Sequence, residues 1–214
     1  MRTMSRYSKW SNGFLVTVLV MLLILFSGHR VLALSGDDPQ VQLQESIDKI
    51  LSILKSVELK APEKKAERKE QIFDVINNMF DFREMARSSL GPNWNDLTPE
   101  EQDSFVDLFT SLIEQRYVGK IDAYDDQTVI YKEKRVKEDK AKIYTAIIDK
   151  ELEIPIDYSM QKNDGKWLVR DLRIENVSLI ANYRRDFNSI IRKEQFAGLV
   201  EKINEQLGKS EAQN

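Results

Sequence analysis

Apolar residues in the first part of the chain recur every three or four positions, the spacing of one face of an α-helix. Residues 37–57 form the first such pattern, with acidic residues at its start that suit a helix N-terminus. A second helix opens within the charged stretch 62–70, and a short third helix over 81–90 ends at Gly91-Pro92, a stop signal. The apolar positions of the first two helices are Leu43, Ile47, Ile50, Leu51, Leu54, Ile72, Phe73, Ile76, Met79 and Phe80.

The segment Thr98-Pro99-Glu100-Glu101 predicts the start of a fourth helix. Thr98 can cap the helix, Pro99 suits its first position, and Glu101 completes a capping box. The spacing then predicts more than four turns of helix facing the core, with a stripe made of Phe105, Leu108, Phe109, Leu112, Ile113, Tyr117 and Ile121.

From residue 127 to residue 174 the pattern changes to β-branched and aromatic residues separated by turn residues, which predicts four antiparallel strands. Strands 152–161 and 166–174 form the best-defined hairpin, with a three-residue loop at 163–165. That loop pairs Met160 with Leu168, Ile156 with Leu172, Ile154 with Ile174 and Tyr158 with Arg170. A two-residue turn would instead place Ile156 opposite Arg173, so the hydrophobic match favours the longer loop. Pro155 predicts an edge strand or a bulge near its position.

In this register, Trp167 and Val169 lie on the opposite face of the hairpin from Leu172. A sheet that is apolar on both faces needs cover on both, or one face lines something else. Two apolar stripes follow, over 177–191 and 196–207, and predict C-terminal helices with Gly198 between them. The order of helices, antiparallel sheet and helices predicts an α+β fold, with one domain at 34–208 and a frayed tail at 209–214.

The N-terminus predicts a cleavable secretory signal at 1–33. Three basic residues precede an apolar run of thirteen residues, 14–26, and Val31-Leu32-Ala33 offers a cleavage site. The run is short of the roughly 20 residues that cross a bilayer. The alternative is an uncleaved N-terminal anchor. Cleavage would remove His29, the single histidine of the chain, and the chain has no cysteine.

Composition excludes several classes of function. Without cysteine there is no disulfide scaffold or thiolate zinc site, and without histidine in the mature chain there is no Ser–His or Cys–His catalysis. Residues 34–214 carry 28 basic and 35 acidic residues, a formal charge of −7 that disfavours a general nucleic-acid binder. The glycines are isolated, and Asp122, Asp125 and Asp126 lack the spacing of a calcium loop. We therefore expect no metal and no cofactor.

Two strings carry a family resemblance. Residues 80–121 contain Phe-Asp-Phe, Leu-Gly…Trp and the Thr-Pro-Glu-Glu box, and residues 164–191 contain Val-Ser-Leu-Ile-x-Asn-Tyr-Arg. In this order they resemble the toluene-tolerance (MlaC) family, and the likeness extends over about residues 43–207, with 127–150 the least similar part.

The resemblance implies a soluble periplasmic lipid carrier with no enzymatic activity. In that family, a curved antiparallel sheet and surrounding helices enclose the acyl chains of a phospholipid. The expected partners are the lipid, an inner-membrane ABC transporter complex and an outer-membrane lipoprotein complex, with no nucleic acid and no stable membrane insertion. The direction of transport stays open, and a hopanoid-type lipid is an alternative cargo.

Within this hypothesis we expect an apolar cavity lined by residues of the fourth helix, the hairpin and the C-terminal helix. Each could equally be ordinary core. The predicted lining residues are Leu112, Ile154, Ile156, Tyr158, Met160, Leu172, Leu179, Tyr183 and Phe187. Arg170 and Arg184 are candidate head-group contacts. Two alternatives are an enzyme that uses a carboxylate such as Asp171 beside the cavity, and a purely structural or adaptor protein of the envelope with a fully packed interior.

Overall fold

Five α-helices and one antiparallel sheet make up the described part of the chain, which in this computed structural model is residues 37–122 and 127–211, without the side chains of 118–122 and 209–211. The helices are α1 (Pro39–Lys55), α2 (Lys65–Met79), α3 (Phe82–Leu90), α4 (Pro99–Asp122) and α5 (Leu179–Glu211), with short 3-10 turns at Pro62–Lys64 and Gly91–Asp96. The strands are β1 (Thr128–Lys137), β2 (Lys140–Asp149), β3 (Leu152–Asn163), β4 (Lys166–Ile174) and β5 (Val177–Ser178). The predicted α+β fold is confirmed, with one short strand more than expected. The predicted signal peptide at 1–33 lies outside the described residues, and the predicted tail at 209–214 does so in part.

The capping box at the start of α4 forms as predicted. The backbone N–H of Glu101 donates to the Thr98 hydroxyl at 3.2 Å, and the backbone N–H of Thr98 donates to the Glu101 carboxylate at 2.8 Å. Two N–H groups that the helix itself cannot satisfy therefore gain partners.

We expect Thr98→Ala to lower the free energy of unfolding by about 1 kcal/mol, because one of these N–H groups loses its acceptor. For a domain of this size, that loss lowers the melting temperature by about 2–4 °C. Thermal unfolding followed by circular dichroism measures the change. Thr98→Ser keeps the hydroxyl and should unfold within about 1 °C of the wild type; an equal loss in both variants would contradict the capping role.

Helix α5 is interrupted at a different residue from the one the sequence suggested. The backbone of Gln195 has φ 62° and ψ −177°, so the helical path breaks there rather than at Gly198. The two predicted apolar stripes flank this break, and Phe187 before it and Leu199 after it share one buried cluster.

The sheet has the strand order β1-β2-β3-β4-β5, and every neighbouring pair is antiparallel. The predicted register of the β3–β4 hairpin is wrong. Asn163 pairs with Lys166 around a two-residue turn, in which Asp164 and Gly165 both have positive φ. Such primed turns match the twist of the flanking strands. Pro155 lies one residue beyond the last β3–β4 pair, Ile156 with Ile174, and its carbonyl accepts from the backbone N–H of Glu175 at 3.0 Å. The strand β3 is therefore an inner strand and not the edge strand that Pro155 predicted, and the bulge lies four residues further on, between Ser159 and Met160.

A two-residue turn alone would place Ile156 opposite Arg173, and a β-bulge in the hairpin removes this mismatch. Pairing shifts between Ser159 and Met160, so Met160 faces Val169 while Tyr158 faces Leu172. Arg170 is the additional residue of β4. A bulge inverts the alternation of side chains beyond it. The expectation of an apolar surface on both faces of the hairpin is therefore wrong, because Trp167, Val169, Leu172 and Ile174 all lie on one face.

That face, which we call the inner face, packs against α1. Among the described residues, three buried clusters contribute to the core. The first joins α3, α4 and α5 around Phe105 and Phe109. The second joins the inner face, through Ile143, Met160, Trp167 and Val169, to Leu43 and Ile47 of α1. The third joins α1 to α2. The half-buried Phe80 packs against all three.

Candidate functional site

The predicted lining residues separate into a helical group and a sheet group. Leu112, Leu179, Tyr183 and Phe187 form the helical group, and all four are buried in the cluster of α3, α4 and α5. The ring of Phe187 lies 5.9 Å from that of Phe105 and 5.3 Å from that of Tyr183, measured between centroids. These rings make edge and tilted contacts typical of a packed core.

The sheet group lies on the inner face. Met160 is buried against Trp167 and Val169, and Leu172 contacts both the helical cluster and the sheet cluster. Tyr158 packs beside them, and burial raises the pKa of its phenol to about 12, so the side chain is neutral at every physiological pH.

Ile154 and Ile156 lie at the other end of this face. Ile154 pairs with Ile147, and Ile156 pairs with Ile174. We call these four side chains the isoleucine patch. All four are only half-buried, and they belong to none of the three packed clusters of described residues. An apolar surface of this kind is suited to covering by an apolar ligand. Sequence reasoning missed Ile147 and Ile174 as site residues, because the pairing of 127–150 and the bulge could not be read from the pattern.

Arg170 and Arg184, the two candidate head-group contacts, line one cleft of about 590 Å³. Arg170 forms an ion pair with Glu84 and donates to the Gln161 side chain at 3.0 Å. The Arg184 guanidinium donates to the backbone carbonyl of Ser88 at 2.6 Å, at the end of α3.

The position predicted for Arg170, opposite Tyr158, is wrong, since Leu172 takes that place and Arg170 occupies the bulge. The cleft also contains Ser159 and Gln161 of β3, which alternate with the inner-face residues and so point to the outer face. The structure therefore brings the two arginines together, but on the face of the sheet opposite the isoleucine patch.

Helix α3 holds Glu84 beside Arg170. The backbone N–H of Asp81 donates to the Val169 carbonyl at 2.9 Å, and the Asp81 carboxylate accepts from the N–H of Glu84 at 3.0 Å. Burial alone would raise the pKa of Glu84. Hydrogen bonds from Arg87, Arg170 and Ser88 outweigh it and lower the pKa from 4.5 to about 2.

This lowered pKa predicts an acid-sensitive contribution to stability. The ionised form of Glu84 is favoured in the folded state, so its contribution is complete above about pH 4.5 and is lost as the pH falls toward 2. We expect Glu84→Gln to lower the free energy of unfolding by about 1–3 kcal/mol at pH 7, the range for hydrogen bonds to a charged group. Urea unfolding at pH 7, 4 and 2.5 measures it, and the difference from wild type should shrink with acidity. Glu151→Gln, in the exposed β2–β3 turn, is the control; an equal loss there, or a loss independent of pH, would contradict the role.

Asp171, the candidate catalytic carboxylate, caps a helix. One oxygen accepts from the Ser178 hydroxyl at 2.7 Å and the other accepts from the backbone N–H of Ile180 at 3.1 Å. The Ser178 hydroxyl in turn accepts from the N–H of Ala181 at 3.0 Å. These bonds satisfy the first turn of α5 and give Asp171 a structural role.

The described residues offer neither a clustered metal site nor a membrane-spanning helix. They contain no cluster of three or more histidine, cysteine, aspartate or glutamate side chains arranged to hold a metal ion. No helix among them combines the length and the apolar character needed to cross a membrane.

Comparison with known proteins places this architecture in a family. A phospholipid-binding protein from Ralstonia solanacearum, solved in complex with a phospholipid, superposes with a TM-score of 0.72 at 24% sequence identity, over 81% of this chain and 98% of that one. No curated protein matches the chain significantly. The family model described as MlaC protein matches residues 44–205. That match spans most of the chain and includes every helix and strand described above at least in part, so the chain belongs to the MlaC protein family.

Proposed function

We propose that this protein is a carrier that shelters the acyl chains of a phospholipid and moves the lipid between the two membranes of the cell envelope. The observation that carries the proposal is membership of the MlaC family, together with the shared fold of a protein solved with a phospholipid bound. The isoleucine patch supports it, because it offers half-buried apolar side chains that no described cluster covers.

The energetics of lipid transfer explain why such a carrier is needed. Two acyl chains contain on the order of 30 methylene groups, each worth roughly 0.8 kcal/mol when removed from water. Unassisted transfer would expose about 24 kcal/mol of apolar surface energy by that arithmetic. An apolar protein surface that covers the chains offsets most of this cost, and the process makes or breaks no covalent bond. The proposed carrier therefore has no catalytic residue and no cofactor, and the phospholipid is its cargo.

The proposed location is the periplasm, after removal of residues 1–33. The proposed partners are an inner-membrane ABC transporter complex and an outer-membrane lipoprotein complex. The acidic charge of the exported chain supports delivery through protein docking, because a net charge of −7 opposes adsorption to anionic membranes.

Lipid analysis of the native protein tests this proposal. The mature protein is purified from envelope extracts without detergent, extracted with organic solvent and analysed by mass spectrometry. We expect about one phospholipid per protein molecule, because a carrier with one apolar binding surface holds one lipid at a time. A well-folded protein that contains no lipid, and takes up none from phospholipid vesicles, would contradict the carrier; a stoichiometric hopanoid would keep the carrier and replace its cargo.

A further inference from the structure

The cleft on the outer face has an unusual charge for this chain. Its lining contains six basic side chains and one carboxylate, that of Asp171. The basic residues are Arg135, Lys137, Lys140, Lys142, Arg170 and Arg184. The whole chain has a net charge of −3, so this basic cleft runs against the overall balance.

Pairing between β1 and β2 brings like charges into direct opposition in the cleft. Arg135 pairs with Lys142, and Lys137 pairs with Lys140. Opposed like charges on neighbouring strands destabilise a sheet. Arg135 is partly neutralised by Glu133 at 2.6 Å and lies over the Tyr144 ring. The three lysines form no ion pair with any described residue.

The carboxylate in the lining does not relieve this repulsion. Both oxygens of Asp171 are hydrogen-bonded to the first turn of α5. Arg170 already has its carboxylate partner in Glu84, and Arg184 binds a carbonyl of α3. Within the described chain, the charge of Lys137, Lys140 and Lys142 is therefore left for an external anion.

The geometry of the lysines indicates what kind of anion fits. Side chains two residues apart on one face of a strand are about 7 Å apart, and paired strands are about 4.8 Å apart. Lys140 and Lys142 repeat at the first spacing along β2, and Lys137 lies across from Lys140. An extended polypeptide presents alternate side chains at the same spacing of about 7 Å. Acidic residues at alternate positions would then meet successive lysines. A flat bilayer would not follow a recess bounded by Ala181 and Arg184 of α5.

We propose that the basic cleft is a docking site for an extended acidic segment of a partner protein, with carboxylates at alternate positions. Docking there leaves the isoleucine patch, on the opposite face, free for the lipid. The interaction is electrostatic, so it speeds association and selects the partner, and it weakens as salt rises.

The chain has no cysteine, so a single introduced thiol can report on the cleft. Ala181→Cys, exposed at the cleft wall, carries an environment-sensitive fluorophore. The probe is an acetylated and amidated octapeptide of alternating glutamate and threonine. We expect saturable binding at 50 mM salt that weakens at least tenfold in the triple variant Lys137→Gln, Lys140→Gln, Lys142→Gln. The matched control is Lys49→Gln, Lys60→Gln, Lys193→Gln, which changes the net charge equally at exposed positions outside the cleft and should bind as wild type does.

Each other outcome overturns the proposal in a defined way. If peptide binding weakens equally in both triple variants, the effect is due to net charge and not to the cleft. If the wild-type protein does not bind the peptide at 50 mM salt, the docking site is excluded. Inorganic pyrophosphate binding alone would indicate a small-anion site. Phosphatidylglycerol vesicles binding in place of the peptide, with the same lysine dependence, would indicate a membrane contact. The copurified lipid is measured in the same samples, and the cleft variant should retain it. If the wild-type protein contains no lipid but still binds the peptide, the proposed cargo is contradicted and the docking site is not.

Discussion

Ile156→Glu should leave the protein folded and lower its copurifying lipid at least tenfold. Ile156 is half-buried at the centre of the isoleucine patch and belongs to no packed cluster of described residues, so the delipidated fold tolerates a polar side chain there. Acyl chains that pack against the introduced carboxylate would remove its water, which costs several kcal/mol. Each 1.4 kcal/mol reduces the affinity tenfold. Mass spectrometry of extracted lipid, normalised to folded protein by circular dichroism, measures the effect.

The matched control is Ile130→Glu. Ile130 is also a strand isoleucine, but it is 37% exposed and lies on the outer face of β1. Its variant carries the same added charge and should retain the full lipid content. Equal lipid loss in both variants would point to a general effect of charge on the sheet. Full lipid content in Ile156→Glu would remove the patch from the proposed binding surface.

The second prediction separates core from lining in the helical group. Phe187→Ala should lower the free energy of unfolding by about 3–5 kcal/mol, the usual cost of truncating a buried aromatic residue. Its ring lies among Phe105, Phe109 and Tyr183, and 4% of the residue is exposed. Because these contacts are made within the protein, the decrease in the free energy of unfolding should be the same with and without lipid. Urea unfolding of loaded and delipidated samples measures both values.

Val177→Ala serves as the control, because Val177 lies in β5 and is 60% exposed. This truncation should lower the free energy of unfolding by less than about 0.5 kcal/mol. The prediction is contradicted if Phe187→Ala lowers the free energy of unfolding of the delipidated protein only slightly but removes most of the bound lipid. That result would show that the ring lines the cargo site, and Leu112, Leu179 and Tyr183 would then have to be tested in the same way.

Much of the architecture follows from local pattern. The four predicted N-terminal helices begin and end within a few residues of the observed bounds, since periodicity, capping and the Gly91 stop act within one or two turns of chain. The strands of 127–174 were recognised for the same reason. The family resemblance over residues 43–207 agrees with the family match over 44–205.

The candidate site depended more on tertiary structure. Four predicted lining residues lie in a packed helical cluster, while the sheet residues Ile154 and Ile156 lie at a half-covered surface. Periodicity shows that a side chain is apolar and on one face, but it does not show whether protein or ligand covers that face. Of the six basic residues of the cleft, the sequence pointed only to Arg170 and Arg184, because the lining residues come from β1, β2, β3, β4, β5, α3 and α5.

The sequence by itself determined the elements, their order and the apolar stripe on each, because these depend on neighbours a few residues apart. Only the tertiary structure decided the register of β3 with β4, where a turn at Asp164-Gly165 and a bulge at Arg170 act together. One additional residue inverts the alternation beyond it, and the packing of Trp167, Val169 and Leu172 against distant helices selects that arrangement. Which apolar side chains become core, and which are left for a ligand, is decided in the same way.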